Sequence, residues 1–198
     1  MPFVSIASFC TLLRRFRRNR DGSAAVQFML IAPLFFALLF AVVETAIMFF
    51  ASQVLETITQ ESARAIMTGQ AQNGSPSVCG GSPCTPATFK TYVCSQIPAG
   101  IFNCANLFVD VENYQNFQSI TLTTPIDNNG NFVNNTGYNP GGSSSCTGNV
   151  SCTNSIVVVR LYYAWQLFVT GLGYNISNLS GNQRLLMATA VFRNEPYN

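Results

Sequence analysis

The chain has 198 residues, 48% hydrophobic and only 9% charged, with no histidine anywhere. That inventory removes the commonest general base at neutral pH and the commonest metal ligand, which argues against both an enzyme and a metalloprotein. The formal charge of +2 is no nucleic-acid signature: five of the ten basic residues lie between 14 and 20, and beyond residue 22 five basic side chains face seven acidic ones.

The first element is a basic leader, residues 1–22, with the cluster Arg14-Arg15-Phe16-Arg17-Arg18-Asn19-Arg20 followed by Asp21-Gly22. An apolar stretch then runs from Ser23 to about Ala51, and its one ionisable side chain is Glu44. As a helix, Val26–Ala51 would be about 39 Å long, against a hydrocarbon core of about 30 Å that needs roughly 20 apolar residues. The stretch therefore predicts a single membrane span in a lipid bilayer. Its basic flank, with no further Lys or Arg until Arg64, places the N-terminus in the cytoplasm and the remainder outside it. A cleaved secretory signal fits poorly, because its apolar core is usually only about 7–15 residues and ends at small residues. Here Phe49-Phe50-Ala51 puts bulky rings where small ones are needed. Pro33, inside the stretch, reads as a structural kink whose lost bond neighbours would satisfy.

Beyond the span the helix continues as an amphipathic one. Ala51, Val54, Leu55, Ile58, Ser62, Ala65 and Ile66 share a stripe at helical spacing, and Gly69 supplies a stop before the loop Asn73-Gly74-Ser75-Pro76. One helix from Ser23 to Thr68, about 69 Å long, is expected within a helical segment 23–69. A head follows over 70–198. Thr85-Pro86 reads as an N-cap and first helical residue, opening a helix over 86–96 that Ile97-Pro98 ends. Alternation predicts strands over Ala105–Tyr114, Ser155–Leu167 and Arg184–Asn194. Laying these as a small antiparallel sheet on the helix stripe gives an α+β fold. The Asn-, Gly-, Ser- and Thr-rich stretch 115–154 reads as an exposed, flexible insertion, a candidate contact surface, and residues 171–182 as a second loop. Asp110 and Glu112 share a strand face; a solvated strand edge is the expectation for them, ahead of a catalytic carboxylate pair.

Cysteines support export. Cys10 lies in the leader, while Cys79, Cys84, Cys94, Cys104, Cys146 and Cys152 all fall in the head, an even number suited to disulfides in an oxidising compartment. Six cysteines allow fifteen pairings, and spacing does not choose among them. The short-loop set Cys79–Cys84, Cys94–Cys104 and Cys146–Cys152 is the working expectation. A metal site is not expected: only Cys79 and Cys84 approach zinc spacing, and histidine is lacking. No C-x-x-C occurs, so dithiol redox chemistry is not indicated.

Gly22 followed by Ser23-Ala24-Ala25-Val26 and then Phe28 resembles the processing site of type IV prepilins and pseudopilins. With Pro33, Val43-Glu44 and Ser62-Ala63-Arg64-Ala65, the segment resembles the TadE-like pseudopilins of tight-adherence (Tad/Flp) pilus systems. The C-terminal run Ala188-Thr189-Ala190-Val191-Phe192-Arg193-Asn194-Glu195-Pro196-Tyr197 is similar to the closing strand of that family. The resemblance implies a pilin-like fold, cleavage between Gly22 and Ser23 by a prepilin peptidase, and residence in the bacterial inner membrane with a periplasmic head. It also implies other pilins or pseudopilins and the pilus assembly platform as partners, incorporation into a pilus, and roles in adhesion and biofilm formation. Gln27, Phe28 and Glu44 would make intramembrane assembly contacts, the alternative for Glu44 being a carboxylate close enough to the interface to reach water or headgroups. The family normally has Glu where this chain has Gln27, which can accept a hydrogen bond but carries no charge; a low-copy or initiating subunit fits this better than a bulk filament subunit.

Three classes of function therefore stand. The first is a minor pilin or pseudopilin. The second is an uncleaved single-span protein whose head is a periplasmic binding module. The third, a membrane-tethered enzyme, would need a polar cleft that the sequence does not advertise; no catalytic residue, cofactor or nucleic-acid partner is expected.

Overall fold

A computed structural model describes residues 22–98, 100–133, 135–141, 155–168 and 175–194. The chain divides into two compact units, Met1–Val43 and Glu44–Asn198.

The first unit holds the beginning of helix α1, Ser23–Met67. Its backbone bonds are internal to the helix, which is what an apolar surround demands. Pro33 lies inside the helix, where it cannot donate to the carbonyl one turn earlier.

In the second unit α1 turns amphipathic. Met48, Ala51, Leu55, Ile58, Ser62 and Ala65 are buried at alternating three- and four-residue steps, while Gln53, Glu56, Gln60 and Glu61 are exposed. The helix ends at Gly69, whose φ of 76° is left-handed and suits a residue without a Cβ. The expected loop over 73–76 is cut short by a four-residue helix α2, Pro76–Cys79, which opens on its last residue. Helix α3, Pro86–Ser95, starts where expected because the Thr85 hydroxyl accepts the Thr88 N–H while Thr88 returns the bond to the Thr85 N–H.

Strands β1 (Leu107–Tyr114), β2 (Ile156–Gln166) and β3 (Gln183–Arg193) form one antiparallel sheet in the order β1-β2-β3. Each lies within two residues of its predicted bounds. β1 begins late because Asn103, accepting the Ala105 N–H, caps a 3₁₀ turn over Cys104–Asn106. Register sets Val111 opposite Val159 and Val159 opposite Ala190, and likewise Asp110 opposite Arg160 and Arg160 opposite Thr189. One face, with Leu107, Val111, Val157, Val159, Leu161, Leu186 and Ala188, joins α1, Phe89 and Val93 in the main core. Burying each such side chain is worth about 1.5–3 kcal/mol.

The other face is also covered, which the sequence reading did not anticipate. Val158 is fully buried and Arg160 and Tyr162 nearly so. Their cover comes from within the stretch expected to be a flexible insertion. The Phe132 ring packs, tilted, with its centroid 4.7 Å from that of Phe108 and 5.5 Å from that of Tyr162, with Ile126, Leu179 and Leu185 in the same cluster. The Val111 N–H donates to the Gly137 carbonyl and the Asn139 N–H to the Val111 carbonyl, at 2.9 and 2.8 Å. The described residues of this stretch, 126–133 and 135–141, thus form a layer over the sheet that also pairs with the edge of β1. Residues 142–154 lie outside the described ones.

Candidate membrane-anchoring site

Gly22 immediately precedes α1 and is exposed; a Cβ placed on it would meet nothing within 4 Å, and its φ is not left-handed. Neither packing nor backbone geometry accounts for glycine there. Ser23 is the first residue of α1. From that point the helix is apolar on every side. Phe28, Met29, Leu30 and Ile31 cover more than a full turn and are exposed by 67, 77, 76 and 64%. A helix apolar all round belongs in a protein core or in lipid, and none of these side chains is in a core. Among the described residues α1 is the one helix long and apolar enough to cross a membrane. Gln27 is exposed on the same unit, beside Phe28.

Glu44 sits differently from Gln27 and Phe28. It is 8% exposed, and its carboxylate accepts the backbone N–H of Phe168, just beyond the end of β2. This is an engagement within the chain and does not bear on the assembly contact expected of Glu44. Sequence could not pair residues 124 positions apart; the available cue was a lone carboxylate in an apolar run, which must find a donor somewhere.

A second polar constellation lies on the outer face of the sheet. Asp110, 1% exposed, receives the Arg160 guanidinium through Nη2 at 2.5 Å and Nε at 2.8 Å. Its other oxygen accepts the Gly137 N–H at 2.8 Å. Arg160 reaches Glu112 as well, at 3.3 Å, and the Tyr114 hydroxyl donates to Glu112. The expectation of a solvated strand edge fails at Asp110, because residues 126–141 roof it over. Burial raises the Asp110 carboxyl, while the Gly137 N–H and Arg160 pull it back towards ionisation. Burial disfavours the Arg160 charge, but Asp110, Tyr162 and Glu112 together outweigh this and hold the guanidinium above its ordinary value. Burial and the bond to Glu112 push Tyr114 up to about 12. Each oxygen of Asp110 already has a donor, so the network is built for cohesion.

Cys79 is bonded to Cys84, and Cys94 to Cys104, with Cα separations of 5.3 and 5.9 Å. The second bridge ties the last turn of α3 to the turn that opens β1. Both were in the expected short-loop set; Cys146 and Cys152 lie outside the described residues, as do Glu195, Pro196 and Tyr197. The sequence reading missed Arg160 as a hub and Phe132 as a cover. The near-continuous apolar run of β2 was the available signal, since a strand buried on both faces reads that way.

Residues 22–64 match the family model described as TadE-like protein. The match begins at the glycine before α1 and ends within the amphipathic part of the helix; the head lies beyond it. No curated protein and no solved structure matches the chain.

Proposed function

Proceeding from a TadE-like N-terminal segment, we propose that this chain is a minor pilin or pseudopilin of a tight-adherence (Flp-type) pilus, cut by a prepilin peptidase between Gly22 and Ser23. The observation that carries the reading is a coincidence of boundaries. The family match starts at Gly22, α1 starts at Ser23, and Gly22 is a glycine for which the fold has no use. A residue that packing does not require is explained by an enzyme that must read it. In this reading α1 anchors the subunit in the bacterial inner membrane as a single pass. The basic residues between 14 and 20 hold its start in the cytoplasm, and the head is periplasmic, where the bridges Cys79–Cys84 and Cys94–Cys104 are at home.

The subunit would work with other pilins or pseudopilins and with the assembly platform, in the service of adhesion and biofilm formation. Gln27 lacks the charge that would pair with a neighbour's N-terminal amine, which favours a low-copy role over that of the bulk filament subunit. No enzymatic activity belongs to this reading.

The test is the N-terminus and intact mass of the protein from native membranes, with and without the cognate peptidase. A chain beginning at Ser23 only when the peptidase is present is the expected result. A chain that keeps Met1–Gly22 in both samples would overturn the pseudopilin reading in favour of a tethered periplasmic binding module.

A further inference from the structure

Ser23–Val43 already provides about 32 Å of helix, enough for a hydrocarbon core of about 30 Å. Yet large apolar side chains stay exposed beyond it: Ile47 by 48%, Phe49 by 64% and Phe50 by 60%, on turns whose other side, Glu44 and Met48, is buried. Among the described residues the most exposed large apolar side chain of all is Phe168, at 83%. Its backbone N–H is bonded to Glu44, which fixes it at the level of those same turns. Two separate stretches of the second unit thus present aromatic rings at one height along α1.

We infer that this rim, Ile47, Phe49, Phe50 and Phe168, is a lipid-seating surface that lies in the outer headgroup layer and rests the base of the head on the bilayer. The inference depends on the reading of α1 as a membrane span. Three arguments choose lipid as the occupant. From Ser23 to Phe50 the helix measures about 42 Å, which matches the roughly 40–45 Å of a bilayer with both interfacial layers included. Aromatic rings concentrate at that depth, where an apolar ring meets a wet boundary. And a carboxylate that would be costly at the bilayer centre is tolerable at its edge, where Glu44 also has an N–H to receive. Glu44 then has a mechanical role: by holding Phe168 it sets the height of the head on the membrane.

Depth-graded quenching tests this with the full chain in phosphatidylcholine vesicles. Trp165 is the single tryptophan, so Trp165→Phe gives a silent background for a reporter placed as Phe168→Trp. Leu34→Trp, in the middle of the span, serves as control. Lipids brominated near the headgroup should quench Phe168→Trp on the order of twofold more than lipids brominated near the chain end, and Leu34→Trp should show the reverse. Phe49→Trp, on a different element, repeats the measurement should Phe168→Trp misfold. If Leu34→Trp is quenched while Phe168→Trp and Phe49→Trp are not, the seating surface is wrong and the span stands. Stronger quenching of the rim by the deep bromines also overturns the headgroup placement. If no position is quenched, the span itself fails and the inference goes with it.

Discussion

The two faces of the β-sheet are buried by different means. The inner face meets α1 mainly through apolar side chains, Leu55 and Ile58 from the helix and Val157, Val159 and Leu161 from β2, with the hydroxyls of Thr59 and Ser62 also buried on the helix. The outer face is closed by an irregular segment whose contributions are mixed. It supplies one aromatic wedge, Phe132, and backbone bonds through Gly137 and Asn139, and it roofs over an ion network centred on Arg160. A long helix brings a whole stripe of hydrophobes and satisfies its own backbone, so little that is polar has to be solved at the interface. A loop brings few hydrophobes and many unpaired peptide groups, which must be paired or left wet. Covering a central strand with such a loop therefore calls for polar partners on the strand, and Asp110 and Arg160 supply them. One face is held by area, the other by satisfied polar groups, and the two should fail differently.

The largest effect should come from the polar face. Removing one member of a buried ion pair typically costs about 3–5 kcal/mol, because the other charge stays buried without its partner. Asp110→Ala leaves Arg160, only 4% exposed, with Glu112 at 3.3 Å as its remaining acid, and should destabilise the head by that order. Denaturant unfolding of the full chain in detergent, followed through Trp165, would read it. The double variant Asp110→Ala/Arg160→Met should recover much of the loss, since no charge is then stranded. A cost below about 1 kcal/mol for the single change would mean that the network is wet, and the contrast between the faces would collapse.

On the apolar face Leu55, 1% exposed, is the counterpart. Leu55→Ala should cost about 2–4 kcal/mol through lost transfer energy and the cavity left behind. No second substitution elsewhere should rescue it, which is where the faces part company. Leu38→Ala on the same helix, at a position 65% exposed, should leave the unfolding midpoint of the head unmoved. Equal losses at the two leucines would show that α1 is not divided between a lipid-facing and a core-facing stretch.

How far the fold could be read from the sequence follows the same divide. Helix α1 was legible to within a residue because its hydrophobic pattern changes character once, from all-round to a stripe, and Gly69 marks its end. Helix α3 was legible because Thr85-Pro86 states its start chemically, β1 and β3 because alternation survives in them, and β2 because a short β-branched and aromatic run reads as a strand even where both faces are buried. Residues 126–141 were not, because no periodicity marks a segment that packs through one ring, Phe132, and through backbone groups that every residue possesses. The Asp110–Arg160 pair was hidden for another reason. Register places the two directly opposite, and register comes from the assembled sheet, since they lie 50 positions apart in the chain. Glu44 and Phe168 are a third case of the same kind. The anchor and the junction at Gly22–Ser23 were readable because each is written in contiguous residues; contacts that span the chain were not.

The smallest effect should appear at the turn that holds the outer cover in place. Asp127 Oδ1 accepts the N–H groups of Asn129 at 2.8 Å and Asn131 at 2.7 Å, and the Asn131 side chain bonds Oδ2 at 3.1 Å. The same turn reaches the strand β3 side of the sheet, since the Ser180 N–H donates to the Gly130 carbonyl at 2.7 Å. It thereby fixes the segment that places Phe132 over Tyr162. These donors, the Asn131 N–H foremost, hold the Asp127 carboxyl below its ordinary value. A folded-state value below the unfolded one means that the ionised form favours folding. The contribution is therefore fully present above the unfolded value, near about 3.9, and is lost as the pH falls through the lower folded one. A carboxyl titration by NMR should give Asp127 a midpoint under the ordinary aspartate value, and the stability of Asp127→Asn should fall less steeply with acid than that of the parent. A midpoint at or above the ordinary value would show that the turn does not grip its aspartate, and would leave Phe132 and the backbone bonds to β1 as what holds the outer layer down.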